Sequence, residues 1–123
     1  MTGKRLDRVN QLLKEEISLL LQRELKDPRL GFVTVTEVAV SKDIRSAKVY
    51  VSVLGTEEQW RESLTALQRA RGFIRNWLSP RLRMRAVPHL SFHPDRSMAH
   101  AAHIQRVLRE LRESDAASVE DSE

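Results

Sequence analysis

The sequence predicts an α+β fold, in which a three-stranded mixed sheet is covered on one side by helices. Stretches with the three-and-four apolar spacing of amphipathic helices alternate with stretches rich in β-branched residues, in the order helix, strand, strand, helix, helix, strand, helix. Two helices separate the second strand from the third, so the third strand is expected to return to the same sheet by a crossover. At 123 residues the chain is one domain in size.

The first helix is predicted over residues 5–25, where charged residues fill the positions between recurring apolar ones. The apolar residues that define its buried stripe are Leu6, Val9, Leu13, Ile17, Leu20, Leu21 and Leu25. Asp27-Pro28 stops this helix, because the residue before a proline is sterically pushed out of the helical region.

The next segments predict an antiparallel hairpin. Residues 32–40 are rich in β-branched side chains, residues 41–45 form a polar turn, and residues 47–54 alternate strictly. The alternation places one apolar row on a single face of the second strand, namely Ala47, Val49, Val51 and Val53.

A second helix follows the hairpin. Thr56 and Gln59 have the spacing of a capping box at its start. The stripe that this helix should bury before it ends at Ala70 comprises Trp60, Leu64 and Leu67. Gly72 then interrupts the pattern, because a glycine costs about 1 kcal/mol in a helix interior.

The third helix is predicted to begin right after Gly72 and to continue to about Leu82. Phe73 and Trp77 lie four apart on one face, which favours core packing over base stacking for both. Pro80 removes one backbone donor inside the pattern, so the last turn is expected to bend or shorten.

A short third strand over residues 89–93 and a final helix complete the fold. Leu90 and Phe92 face one way in the strand, and two histidines face the other. The final helix is predicted from about residue 97 to residue 112, with the inward positions Ala101, Ile104, Val107, Leu108 and Leu111.

The charge balance divides the chain into a basic body and an acidic end. Lys and Arg number 21 against 17 Asp and Glu, and five of the acids fall within residues 113–123, which contain no base. The body is therefore left with 21 bases against 12 acids, a formal charge of +9. We expect residues 1–112 to form a domain that attracts polyanions, and residues 113–123 to be a disordered acidic tail.

The composition argues against several other classes of protein. The chain contains no cysteine, no apolar run long enough for a membrane span, and no secretory signal, so a cytoplasmic protein without membrane contact is expected. No phosphate-binding glycine loop and no hydrolase or metalloprotease motif appears, which predicts no enzyme activity, no cofactor and no small-molecule substrate. The histidines fall at same-face strand positions, 89 and 93, and at an i, i+3 helical spacing, 100 and 103. No HExxH glutamate and no cysteine accompanies them, so no metal site is predicted.

The densest chemical signal is a run of arginines between residues 61 and 85. Seven arginines stand there against one acid, Glu62. The planar guanidinium matches phosphate oxygens and stacks on base faces, so this run predicts RNA binding. Gly72 would let a sugar-phosphate backbone come close. The contacts predicted within this run are Arg69, Arg71, Arg75, Arg81, Arg83 and Arg85. A second group is predicted around the hairpin and comprises Lys42, Arg45 and Lys48.

Several segments together resemble a known family. They are KDPRLGFVTVTEV, SKD, AKVYVSVLG, GFIR and RLRMRAVPHLSF, within a match over about residues 5–112. The order of elements is similar to a type II KH domain, with an Ala-x-Gly kink at Ala70-Arg71-Gly72 in place of the GxxG loop that clamps single-stranded nucleic acid. The full pattern resembles the ribosome-binding factor A family.

This resemblance implies a function. It implies a non-catalytic factor that binds free or immature small (30S) ribosomal subunits and their 16S rRNA, assists late maturation and rRNA processing, and leaves before translation. We expect it to act as a monomer.

Other interpretations of the same residues remain open. The helix, break and helix could be a helix-turn-helix of a small DNA-binding regulator, or the basic face could bind an acidic protein. Gly72 could be only a helix cap, and the arginines only a solvated helix face.

Overall fold

The fold is described from a computed structural model, which describes residues 2–25, 30–97 and 105–113. Its elements, in chain order, are α1 (Thr2–Arg23), β1 (Phe32–Val40), β2 (Ser46–Leu54), α2 (Glu57–Arg69), α3 (Arg71–Leu82), β3 (His89–Pro94) and the helical residues 105–113, here α4. The α+β class and the predicted order of elements are confirmed.

The three strands form one mixed sheet in the order β1-β2-β3. β1 pairs with β2 in antiparallel register, and β3 pairs with β2 in parallel register. The crossover through α2 and α3 makes the parallel pair possible, because parallel neighbours cannot be joined by a tight turn. The β1–β2 register shifts between Val35 and Glu37, so Thr36 is a bulge residue.

A single apolar core lies between the sheet and the first three helices. The predicted row of β2 is fully or almost fully buried, as are Leu90 and Phe92 of β3. The helices contribute Leu13, Ile17, Leu20, Leu67, Ile74, Leu78 and Leu82 to the same cluster. The alternate residues of β2, such as Lys48, lie on the other face of the sheet, away from these helices.

Polar side chains tie the chain together at three points. Asn10 Oδ1 accepts from the Val40 N–H at 2.8 Å and thereby fixes α1 against β1. The Gly31 N–H donates to Ser63 Oγ of α2 at 3.2 Å. Just after β3, the Ser97 hydroxyl donates to Asp95 Oδ1 at 2.6 Å.

The start of α2 forms the capping box that the sequence predicts. The Gln59 N–H donates to Thr56 Oγ1 at 3.2 Å, and the Thr56 N–H donates to Gln59 Oε1 at 2.7 Å. The preceding Gly55 has φ +156°, and a Cβ on it would overlap the Gln59 side chain. Glycine is therefore strongly favoured at this turn.

The third helix differs from its prediction at its start. α3 begins at Arg71, so Gly72 lies inside its first turn rather than before it. Pro80 does not end the helix, which continues to Leu82. Phe73 is 50% exposed, so its assignment to the core was wrong, whereas Trp77 packs against the core.

The final helix also differs from its prediction. The structure describes it over 105–113, where Val107, Leu108 and Leu111 are exposed rather than inward. Apolar spacing defines a face but not what covers it, which is why the inference was wrong. Ala101 and Ile104 lie outside the described residues. Glu113, which the sequence placed in the tail, is helical and is the last described residue; residues 114–123 are not described.

Candidate nucleic-acid interface

The corner between α2 and α3 presents a helix start that no side chain caps. Ala70 ends α2 by donating its N–H to the Ala66 carbonyl at 3.0 Å, and it begins α3 by accepting from the Ile74 N–H at 2.9 Å. An alanine cannot cap with its side chain, and the first turn of α3 contains no acid. The positive end of the α3 dipole is thus uncompensated, which suits an anion.

Gly72 keeps this corner open. A Cβ on Gly72 would meet nothing within 4 Å, so packing within the protein does not require a glycine there. Arg69 and Arg71 are exposed on either side of the corner. Together with Arg61 they line a groove of about 540 Å³. The Arg71 Nε donates to the Gln68 carbonyl at 2.9 Å, which holds the side chain in place while the residue remains exposed.

Two further residues lie at this corner, although the sequence-based prediction did not choose either as a contact. Arg61 belongs to the arginine run but was not chosen as a contact, and it lines the groove while paired with Glu58. Phe73 follows Gly72 directly, and its half-exposed ring can stack on a base. The spacing of Phe73 and Trp77 favoured the core, and the exposure of Phe73 depends on the tertiary structure.

A second set of arginines meets beyond the other end of α3. Arg45, Arg83 and Arg85 line a cavity of about 440 Å³ together with Arg5 of α1. Arg5 was missed because it lies far from the others in sequence. The helix between the two sets has 12 residues, so they lie about 18 Å apart at the helical rise of 1.5 Å per residue. No single phosphate can contact both sets.

Two of the predicted contacts are engaged within the protein. Arg75 is half-buried and donates from Nη2 to the Val87 carbonyl at 3.3 Å, while its Nε is buried without a partner. Arg81 donates from Nε to Glu16 Oε2 at 2.7 Å, and its guanidinium lies 4.2 Å from the centre of the Trp77 ring. Arg75 and Arg81 therefore have fewer exposed donors for an outside phosphate than Arg69 or Arg71.

The two lysines lie away from the α2–α3 corner. Lys42 is exposed in the turn between β1 and β2. Lys48 is exposed on the face of the sheet that the helices leave open. The ten predicted contacts therefore form two clusters and several separate positions rather than one surface.

Neither a metal centre nor a membrane helix is found in the described ranges. Within residues 2–25, 30–97 and 105–113, no three His, Asp or Glu side chains gather closely enough to hold a metal ion. His100 and His103 lie outside these ranges. None of the helices described for the chain has both the length and the apolarity of a membrane span.

Comparison with known proteins gives the same family by sequence and by structure. The sequence model of the family "Ribosome-binding factor A" matches residues 5–108. Ribosome-binding factor A of Desulfitobacterium hafniense is 49% identical over 115 residues, covering 94% of this chain and 92% of its own. That of Thermomicrobium roseum is 46% identical over 125 residues, covering 99% and 97%.

A crystal structure and a fitted homology model share the fold. The crystal structure of ribosome-binding factor A from Thermus thermophilus superposes with a TM-score of 0.68 at 36% identity, covering 75% of this chain and 97% of its own. A homology model of the Thermus thermophilus factor, fitted into the cryo-EM map of its complex with the 30S subunit, gives a TM-score of 0.61 at 39% identity, covering 71% and 91%. The chain belongs to the ribosome-binding factor A family.

Proposed function

We propose that this chain is a non-catalytic assembly factor of the small ribosomal subunit. It binds free or immature 30S subunits and their 16S rRNA in the cytoplasm, as a monomer, and assists late maturation and rRNA processing. Family membership supports the partner, and the fitted 30S complex of the Thermus thermophilus factor supports the same assignment.

The single observation that carries the proposal is the α2–α3 corner. An uncapped helix start, two exposed arginines and an unobstructed glycine meet there. Backbone N–H groups at a helix start bind phosphate oxygens, and the absence of a Cβ at Gly72 lets an RNA backbone approach them. Arg69 and Arg71 would hold the flanking phosphates, and Phe73 would stack on one base.

Such a site acts through binding energy. A factor that binds one rRNA arrangement more tightly than another raises the population of the first, by its difference in affinity for the two. By the same linkage, an rRNA rearrangement that removes the preferred contacts releases the factor. No bond needs to be made or broken by the protein.

Sedimentation tests the proposal. In a sucrose gradient of a cell lysate at low salt, the full chain should migrate with free small subunits, and nuclease treatment should abolish that migration. The charge reversal R69E/R71E should reduce the bound fraction at least tenfold. The matched reversal R8E/R23E removes the same charge from exposed positions of α1 that line neither arginine cluster, and it should have a much smaller effect.

Two outcomes would contradict the proposal. Absence from the small-subunit fractions, together with tight and sequence-selective binding to duplex DNA, would favour a DNA-binding regulator instead. A complex that survives nuclease treatment would favour an acidic protein as the partner.

A further inference from the structure

The cavity beyond the end of α3 gathers four arginines from three separate parts of the chain. Arg5 comes from the first turns of α1, Arg45 from the turn between β1 and β2, and Arg83 and Arg85 from the loop that follows α3. A site assembled from three distant segments depends on the fold and not on a local run of charge. Four like charges held around one cavity repel each other unless an anion enters.

These arginines have little to bind within the protein. Among the described residues, the side chains of Arg5, Arg83 and Arg85 form no hydrogen bond or ion pair. Arg45 approaches Asp43 only at 3.8 Å, and its side chain is 87% exposed. Arg75 and Arg81, in contrast, are bound to a carbonyl and a carboxylate of the protein. The donors of the cavity arginines are therefore available to an outside anion.

The one carboxylate in the cavity wall is committed to the turn. Asp43 Oδ1 accepts from the Ser41 hydroxyl at 2.6 Å and from the Arg45 N–H at 3.2 Å. These two hydrogen bonds hold the pKa of Asp43 below its ordinary value, and the bond from Ser41 has the larger effect. Asp43 shapes the turn that presents Arg45, and four guanidinium groups against one carboxylate leave the cavity strongly positive.

Both residues with an unfavourable backbone conformation line this cavity. Within the described ranges, Ile44 with φ 58° and Arg83 with φ 51° are the non-glycine residues with positive φ. A β-branched residue strongly disfavours this conformation, and glycine or asparagine is usual at the left-handed end of a helix. A glycine at 83 would relieve the strain but would place no guanidinium in the cavity. Strain kept at a cluster of binding groups is typical of a functional site.

The floor of the cavity is apolar. Val9 and Met84 pack against the core on one side and line the cavity on the other, next to Ile44. A simple anion would need only the arginines. A volume of about 440 Å³ with an apolar floor and a cationic rim is in the size range of small-molecule sites and offers one surface for a base and another for a phosphate.

We propose that this cavity binds a nucleoside phosphate, with the phosphate on Arg45, Arg83 and Arg85 and the base over Met84 and Val9. Its source is a nucleotide of single-stranded RNA turned out of its stack, or a free nucleotide. The RNA source rests on the proposed function; the nucleoside phosphate chemistry does not. The site is separate from the α2–α3 corner, about 18 Å away along α3.

Amide NMR of the full ¹⁵N-labelled chain tests the proposal, with adenosine 5′-monophosphate, inorganic phosphate, adenosine and pentaadenylate as probes. The monophosphate should shift the amides of Ile44, Arg45 and Met84 saturably. Inorganic phosphate and adenosine should each bind at least tenfold more weakly. Pentaadenylate binding more tightly than the monophosphate assigns the site to RNA, and equal or weaker binding assigns it to a free nucleotide.

The variant R83Q/R85Q should lower the monophosphate affinity at least tenfold, and the matched variant R8Q/R23Q should change it less than twofold. Both variants should keep the wild-type melting temperature within a few degrees, because all four substituted residues are exposed. Absence of saturable shifts, or equal loss in both variants, overturns the inference. If small-subunit co-sedimentation of the wild type persists in that case, the proposed function stands without this cavity.

Discussion

Arg71 and Arg81 are the same residue type on the same helix, but only Arg71 keeps most of its guanidinium available. Arg71 uses its Nε on the Gln68 carbonyl and is otherwise exposed. Arg81 is bound to the Glu16 carboxylate and covers the Trp77 ring. Removal of the Arg71 side chain should therefore mainly reduce RNA affinity, and removal of the Arg81 side chain should mainly reduce stability.

We expect Arg71→Met to weaken binding to small subunits several-fold, and to reduce the dependence of log Kd on log salt by about one unit, because one phosphate contact is lost. Arg81→Met should weaken binding less and should instead lower stability by up to about 1 kcal/mol, the usual range for a partly exposed ion pair. Fluorescence anisotropy and urea unfolding measure the two effects. Equal affinity losses would show that the Glu16 pairing does not withhold Arg81 from RNA.

Asp95 fastens the end of β3 to the bulge of β1 across the central strand. Its carboxylate accepts from the Ser97 hydroxyl and N–H and, at 2.6 Å, from the Thr36 hydroxyl. These hydrogen bonds lower the pKa of Asp95, and the bond from the Ser97 side chain has the largest effect. The bulge places the Thr36 hydroxyl where it can reach Asp95, which makes the irregularity of β1 part of the sheet's stability.

We expect Asp95→Asn to lower the free energy of unfolding at pH 7 and to flatten its pH dependence in acid. A carboxyl whose pKa is lowered by folding stabilises the protein above the unfolded value of about 3.9, and this contribution is lost as the pH falls through the folded value. Urea unfolding between pH 2 and pH 7 measures the difference. Parallel curves for wild type and variant would contradict the assignment.

At the scale of elements, the sequence predicts those features that a few consecutive residues determine, and it fails for those that depend on tertiary packing. The capping box of α2 and the alternation of β2 are contained in a few consecutive residues, and both predictions were confirmed. The start of α3 depends on whether the chain turns before or after Gly72, which the tertiary packing of Ile74 and Leu78 decides. The apolar face of α4 could be read from the sequence, but its exposure could not.

Two glycines at helix starts should respond in opposite directions to alanine. Gly55→Ala should lower stability by about 1–2 kcal/mol, because the added Cβ displaces Gln59 from the capping box and the backbone is strained for alanine. Gly72→Ala should raise stability by up to about 1 kcal/mol, because the position is helical and unobstructed.

At Gly72, the effect of alanine on stability can be distinguished from its effect on binding. Gly72→Ala should weaken the affinity for small subunits although the protein is more stable, since the new Cβ stands where the RNA backbone approaches. Thermal unfolding and co-sedimentation measure the two quantities. A Gly72→Ala protein with unchanged affinity would mean that this glycine serves only the helix.

At the scale of the whole molecule, the sequence shows how many charges the protein carries, but not which of them lie together or are paired. The arginine run extends over both ends of α3, but the partners of Arg75 and Arg81 lie elsewhere in the chain, and the pairing of Arg81 with Glu16 spans 65 residues. Arg5 joins the cavity arginines only through the fold. Composition fixes the number of charges, whereas the tertiary structure decides which of them are free.

The free charges set how strongly salt weakens binding. If about five cations of the two arginine clusters neutralise phosphates, log affinity should fall with log salt at a slope of about −4. Co-sedimentation or anisotropy between 50 and 300 mM salt measures the slope. A flat response would contradict an electrostatic contact, and R83Q/R85Q should reduce the slope as R69Q/R71Q does if both clusters contact RNA.

The most direct test of the account is to ask what faces Gly72 on the ribosome. The chain has no cysteine, and a side chain at position 72 meets no obstruction, so Gly72→Cys places one photo-crosslinker at the α2–α3 corner. Thr34→Cys places the same probe on the exposed face of the sheet away from the helices. The account predicts crosslinks from position 72 to a few neighbouring 16S rRNA positions in free small subunits, and far fewer from position 34. Crosslinks from position 34 alone, or none from either, would contradict it.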